Sequence, residues 1–206
     1  MLFKTEKRKY LSKQIKNGDF LAFYHKPYRF IFSQLIKFVT GNKLDHVAGV
    51  FDVERRDGVV IFKLGEQVLA HGKIVKKYSI VKIDEESFNI DSRFNQDHID
   101  FYLLPNKNKI TATENIKLRK YWSDEEDSDY KLTELPATIN WIHKIIVAVR
   151  KLFGKKAKIY DNNCSTAARQ SMIELGIQDN KFDDKVPNPT EFAKFSFIRE
   201  IVKIIK

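Results

Sequence analysis

Apolar residues along the first hundred positions come in short runs and alternations. DFLAFY, 19–24, predicts a buried strand. HVAGVFDV, 46–53, predicts a second, and ERRDG after it ends on Asp57-Gly58, a two-residue hairpin signal. VVIFKLGEQVLAHG and KIVKKYSIVKI supply further strands to about residue 83, and HIDFYLLP, 98–105, another that stops at Pro105. Two stretches in this half have helical spacing instead. LFKTEKRKYLSKQIK predicts a short basic helix ended by Asn17-Gly18. RFIFSQLIKFVT, 29–40, has apolar residues at 30, 31, 35, 36 and 39 and predicts a helix that stops near Gly41.

Past residue 110 the period changes. Thr111-x-x-Glu114 is a capping box that opens a helix to about Trp122. SDEEDSD, 123–129, reads as an acidic surface loop. ATINWIHKIIVAVRKLF, 137–153, predicts an apolar helix. A helix beginning near Cys164 runs to Leu175, with Gly176 as its C-cap. A last helix is predicted over 190–206, with apolar positions 192, 195, 198, 201, 202 and 205 on one face and lysines elsewhere. The pattern is that of one α+β domain, a mostly antiparallel sheet with helices packed around it.

Composition narrows the partners. The 206 residues include 37 Lys plus Arg and 27 Asp plus Glu, for a net charge of +10. Such a balance favours an anionic polymer, an anionic membrane surface or nucleic acid. The lysines are dispersed rather than interleaved with aromatics, so no specific nucleic-acid site is expected. The N-terminal stretch is charged throughout, without the apolar run of a signal peptide. No segment reaches the roughly 20 apolar residues of a membrane span. The expectation is synthesis in the cytoplasm, with delivery outside, or carriage in a virion, supplied by something else. A lone cysteine forms no internal disulfide.

That cysteine carries the candidate chemistry. DNNCSTAARQSMIELG places Cys164 at a helix start, where the partial positive charge of the helix N-terminus favours a thiolate. The base for it is expected at His46, at the entrance of a strand after the loop GNKLD, since Cys plus His is the minimal thiol nucleophile pair. A third group normally orients the imidazole. If Asp57-Gly58 is a two-residue turn, His46 faces position 69, and alternation puts Gln67 and His71 on its face. If residues 56–58 form a three-residue loop, Glu66 shares that face instead. A bulge reverses either answer. His71 is the expected third residue and Glu66 the alternative. His143 reads as packing, His98 as a loop residue, and His25 as a lining or turn residue. No spacing of metal ligands and no phosphate-cradling glycine loop is present.

The ordered set GDFLAFYH, SQLIKFVT, DHVAGVF and YDNNCSTAARQSMIELG resembles the permuted branch of the NlpC/P60 papain-like superfamily. Gly18-Asp19, His46-Val47 and Cys164-Ser165 match its features in order, over residues 18–80 and 157–195. VLAHGKIVKKYSI looks like the strand that carries the family's third polar residue, which favours His71. The glycine expected two residues after the histidine is displaced here from Ala48 to Gly49. Residues 106–156 have no counterpart and read as a helical insertion in a single domain spanning 1–206. The resemblance implies a permuted papain-like fold and a covalent thioester formed on Cys164; no cofactor and no metal are expected. It implies an amidase or endopeptidase acting on peptidoglycan or related peptides. The alternatives are a lipid acyl hydrolase or acyltransferase, with the last helix lying on an anionic membrane surface, and a non-enzymatic virion or nucleic-acid-associated structural protein.

Overall fold

Period-two alternation in the first half builds most of a twisted sheet, and both of its faces are covered. The computed structural model describes residues 4–26, 44–70, 73–84, 98–124, 128–129, 164–177, 187 and 189–205. The chain order is β1 (Lys4–Lys7), α1 (Arg8–Gln14), β2 (Phe20–His25), β3 (His46–Arg56), β4 (Val59–Ala70), β5 (Lys73–Asp84), β6 (Ile99–Leu104), α2 (Ala112–Ser123), β7 (Ser128–Asp129), α3 (Cys164–Ile173), α4 (Pro189–Phe192) and β8 (Val202–Ile205). The strands lie in the order β1-β8-β6-β2-β3-β4-β5-β7. Every neighbouring pair is antiparallel except β1 with β8. The α+β class read from the sequence is what the described residues form. The predicted helices at 29–40 and 137–153 lie outside them.

Alternation assigns the two cores. Phe20, Ala22, Val47, Phe51, Tyr102 and Leu104 face α2, α3 and α4. Leu21, Ala48, Val50, Phe62, Leu64 and Leu103 face the other way and pack with Leu11 and Ile15 around α1. Arg55 closes α1 by donating from Nη2 to the Ser12 and Ile15 carbonyls at 3.2 and 2.6 Å, which satisfies carbonyls that a helix C-terminus leaves free.

Two terminal expectations need correction. Residues 4–7 form a strand rather than the first turn of a basic helix, and α1 starts only at Arg8. The predicted helix over 190–206 is confined to Pro189–Phe192, and Val202–Ile205 is a strand beside β6. The β-branched run IVKII competes well for a sheet edge. In β8, Val202 and Ile204 enter the second core, and the Lys203 ammonium reaches Asp100 at 2.9 Å. Phe192, Phe195 and Phe197 instead form an aromatic cluster with Phe20. Of the apolar side chains expected to meet a membrane, those of Phe192, Phe195, Ile198, Ile201 and Val202 are therefore buried inside the protein. Among the described residues no helix is long and apolar enough to cross a membrane.

Three local features hold the strands that carry the candidate chemistry. The first is Asp19, fully buried at the start of β2. Its carboxylate accepts the Lys16 and Asn106 backbone N–H groups at 3.0 and 2.9 Å, while Asn106 Nδ2 donates to the Gly18 carbonyl at 3.1 Å. Burial pushes the Asp19 carboxyl up to about 7, against the lowering effect of those N–H groups and of the Lys16 and Arg199 charges. The second is the capping box of α2, formed as the sequence predicts, with Thr111 and Glu114 exchanging bonds. It sets the helix that delivers Leu118 and Trp122 into the first core.

The third is a register shift in the β3–β4 hairpin. Asp57 and Gly58 have φ of 51° and 74°, as a type I′ turn requires, and Arg56 pairs with Val59. Between Phe51 and Glu54 the register shifts by one, so Asp52 and Val53 together oppose Phe62. Asp52 has φ of 52°, the left-handed conformation that Asp tolerates better than most residues. α2 clamps it: Asn115 accepts the Asp52 N–H at 3.1 Å and donates to its carboxylate at 2.8 Å. Arg119 grips both carboxylate oxygens, and Lys63 lies at 3.0 Å. Burial alone would raise this carboxyl, but Arg119, Lys63 and Asn115 hold it below its ordinary value. Asp52→Ala is expected to lose these bonds and strain the backbone, at about 2 kcal/mol. Asp52→Asn should lose less, because the turn conformation and one acceptor remain. Urea unfolding of both variants checks the order.

Candidate active site

α3 begins at Cys164 and lies against β3 and β4. Its first turn is built of small side chains, Ser165, Thr166, Ala167 and Ala168, all buried, which lets the helix axis approach the sheet closely. The Tyr121 hydroxyl of α2 donates to the Ala167 carbonyl at 3.0 Å and fixes that turn. At the other end Gly176 has φ of 76°. Ile177 N–H reaches the Met172 carbonyl and Gly176 N–H the Ile173 carbonyl, at 3.0 and 2.8 Å, the glycine cap that the sequence predicts.

His46 opens β3, paired with Phe23 of β2. The Phe23 ring, 5.6 Å away and tilted by 42°, packs beside the imidazole. The Cys164 sulfur is coupled to that imidazole by charge, and the Ser165 hydroxyl is 4.0 Å from it. On the far side His46 Nε2 is 3.2 Å from the Glu66 carboxylate, with the two side chains 22% and 13% exposed. With Nε2 committed to Glu66, Nδ1 is the nitrogen left for the sulfur. The result is a line of thiol, imidazole and carboxylate, partly sheltered from water but not sealed.

The charges reinforce one another. Burial by itself would push the His46 imidazolium down, but the Cys164 charge and hydrogen bond, with Glu66 behind, raise it to about 10. Burial by itself would push the Cys164 thiol up. The His46 charge and hydrogen bond, the Val47 N–H and the Ser165 hydroxyl pull it below its ordinary value. The favoured state is therefore a thiolate–imidazolium pair, with Glu66 stabilising the cation.

No family model matches the chain, and no curated protein sequence matches it. The site therefore stands on its own geometry.

His46 lies between Cys164 and Glu66, and the bulge explains why Glu66 is the carboxylate beside the imidazole. A plain two-residue hairpin would turn Gln67 to the His46 face. The extra residue at Asp52–Val53 shifts the register so that Gly49 pairs with Gly65, and Glu66 takes the face of Ala48 and His46. His71, the expected third residue, lies outside the described residues. The displaced glycine also has a cause. The Trp122 indole lies over the Gly49–Gly65 pair. A Cβ on Gly49 would stand 3.0 Å from the ring, and one on Gly65 would overlap it. Of the other histidines, His25 ends β2 and His98 precedes β6, while His143 lies outside the described residues. Among the described residues no cluster of His, Cys, Asp and Glu could hold a metal ion. Sequence reasoning passed over Asp52. The signal was present: a lone acidic residue interrupts the apolar alternation of HVAGVFDV.

Proposed function

We propose that the protein is a cysteine hydrolase that forms a thioester acyl-enzyme, an amidase or endopeptidase acting on peptidoglycan or related peptides, in a permuted papain-like fold. The single observation that carries this reading is the His46 imidazole held at 3.2 Å by Glu66 and coupled by charge to Cys164 at a helix N-terminus. The chain order, with His46 before Cys164, agrees with the permuted arrangement that the sequence resembles. The net charge of +10 suits an anionic wall polymer.

The steps follow from the pair. The Cys164 thiolate attacks the acyl carbon of the scissile amide, and the carbonyl π electrons move onto oxygen. The N-terminus of α3, with the Cys164 N–H, faces that developing charge. As the tetrahedral intermediate collapses, the C–N bond breaks and the His46 imidazolium gives its proton to the leaving amine. His46, now neutral, takes a proton from water, the hydroxide attacks the thioester, and the acid leaves as the thiolate–imidazolium pair re-forms. Glu66 stays ionised throughout, orienting the ring and stabilising its charged form.

The test is trapping. Incubation with wall-derived stem peptides, quenched in acid, should yield released amine and an acyl adduct on Cys164 by mass spectrometry. Neither release nor adduct across a panel of wall peptides and simple amides would refute the reading.

A further inference from the structure

β5 is an outer strand of the sheet for most of its length. It pairs with β4 from Lys73 to Asp84 without a bulge. On its other side, among the described residues, only Lys73 and Ile74 are paired, with Asp129 and Ser128 of β7. From Val75 onward the strand therefore presents a regular row of backbone N–H and C=O groups with no described strand beside it, the arrangement that accepts an added strand. The side chains along this edge have a pattern. Tyr78 and Ile80 are 42% and 54% exposed and share one face. The Lys63 ammonium stands 5.0 Å over the Tyr78 ring, and the Phe51 ring meets it edge-on at 5.9 Å, so the phenol is held in place. Lys77 and Lys82 flank the pair. Both are exposed, and neither has an ion-pair partner among the described residues.

We propose that the edge of β5 from Lys77 to Ile83 docks an extended acidic segment of a polypeptide partner as an added antiparallel strand. Apolar side chains of that segment cover Tyr78 and Ile80, and its carboxylates meet Lys77 and Lys82. One piece of this chain already uses the same edge. β7, from the acidic stretch 123–129, runs antiparallel to β5 and sets Asp129 opposite Lys73. A second copy of the chain fits worse, because each copy would bring the same lysines and a net charge of +10, and like charges repel. With strands about 4.8 Å apart, the docked segment would run about 10 Å from β4, which carries Glu66 opposite Lys77. The proposal is independent of the hydrolase reading.

Binding is read by fluorescence anisotropy on full-length Cys164→Ala protein, so that the candidate nucleophile leaves the probe intact. The probe is a fluorescein-labelled peptide of four valine–glutamate repeats. It should bind with a Kd on the order of 10 μM, and more weakly as salt rises. The same peptide with lysine in place of glutamate should bind at least about tenfold more weakly. N-methylation separates strand addition from side-chain contact, since only alternate residues of an added strand donate to β5. Methylating one alternate set should abolish binding, and methylating the other should leave it within about threefold. The amide resonances of Lys77 to Ile83 should shift as the peptide binds.

Absence of binding by the glutamate peptide overturns the proposal. So does equal affinity for the two charge forms, equal tolerance of the two methylated sets, or resonance shifts confined to residues away from β5. A doubly substituted protein, Lys77→Gln with Lys82→Gln, should lose the preference for glutamate over lysine, and a preference that survives in it also overturns the proposal. Sedimentation checks the other occupant. Dimers that form without peptide and shift the same β5 resonances would assign the edge to a second copy instead.

Discussion

Cys164→Ala is expected to abolish amide hydrolysis, and His46→Ala to reduce it by about 10⁴-fold or more. The two losses should not add in the double variant, because thiolate and imidazolium act as one unit. The singles differ where no substrate is present. With His46 in place, iodoacetamide should alkylate Cys164 at pH 5 to 6, where an ordinary thiol is nearly inert. In His46→Ala the imidazolium is gone, the thiol returns toward its ordinary value, and fast alkylation should begin only above about pH 8. Activity of the native protein should rise with pH as the thiolate forms. It should fall again near pH 10, where His46 loses the proton that the leaving amine requires. Glu66→Gln keeps shape and removes charge, so the alkaline fall should move to lower pH. An unchanged alkaline limb in that variant would show that Glu66 does not stabilise the imidazolium.

Trp122→Ala should cost about 3 to 5 kcal/mol, the largest stability loss expected from one substitution among the described residues. The indole is 1% exposed and lies on two glycines of adjacent strands. Small neighbours cannot close over the void, because Gly49 and Gly65 have no side chains with which to fill it. The Tyr121 ring beside it, 5.0 Å away and edge-on, loses its partner as well. Urea unfolding gives the number. A cost below about 1 kcal/mol would mean that the ring is not packed against that pair. Gly65→Ala attacks the same contact from below and should also destabilise, by about 1 to 3 kcal/mol.

Much of this was legible in the residues, for identifiable reasons. The Asp57-Gly58 turn, the Thr111–Glu114 capping box and the Gly176 cap are decided within four or five residues, and local chemistry suffices for each. Strands β2 to β6 carry apolar alternation strong enough to set the faces. The stretch after Pro189 misled because its apolar spacing fits a helix, while the choice between helix and strand was made by an open edge of β6 a hundred residues earlier. Cys164 and His46 stand at element starts, where the sequence placed them. The group beside the imidazole was left between His71 and Glu66, because it depends on a one-residue shift at Asp52, and that shift depends on Asn115 and Arg119 in a helix far along the chain. Sequence spacing measures distance along a strand, whereas the identity of the group beside the imidazole is a matter of parity.

That parity makes the hairpin vulnerable to changes in length rather than in letter. Losing or gaining one codon between the kink and His46, or between Phe62 and Glu66 on the opposing strand, would present an amide where a carboxylate now stands, with every residue of the reactive line still encoded. Variation in this protein should therefore tolerate substitutions at the exposed tip while rejecting single-residue indels on either arm between the kink and the reactive line, and drift by pairs should survive there where drift by ones does not.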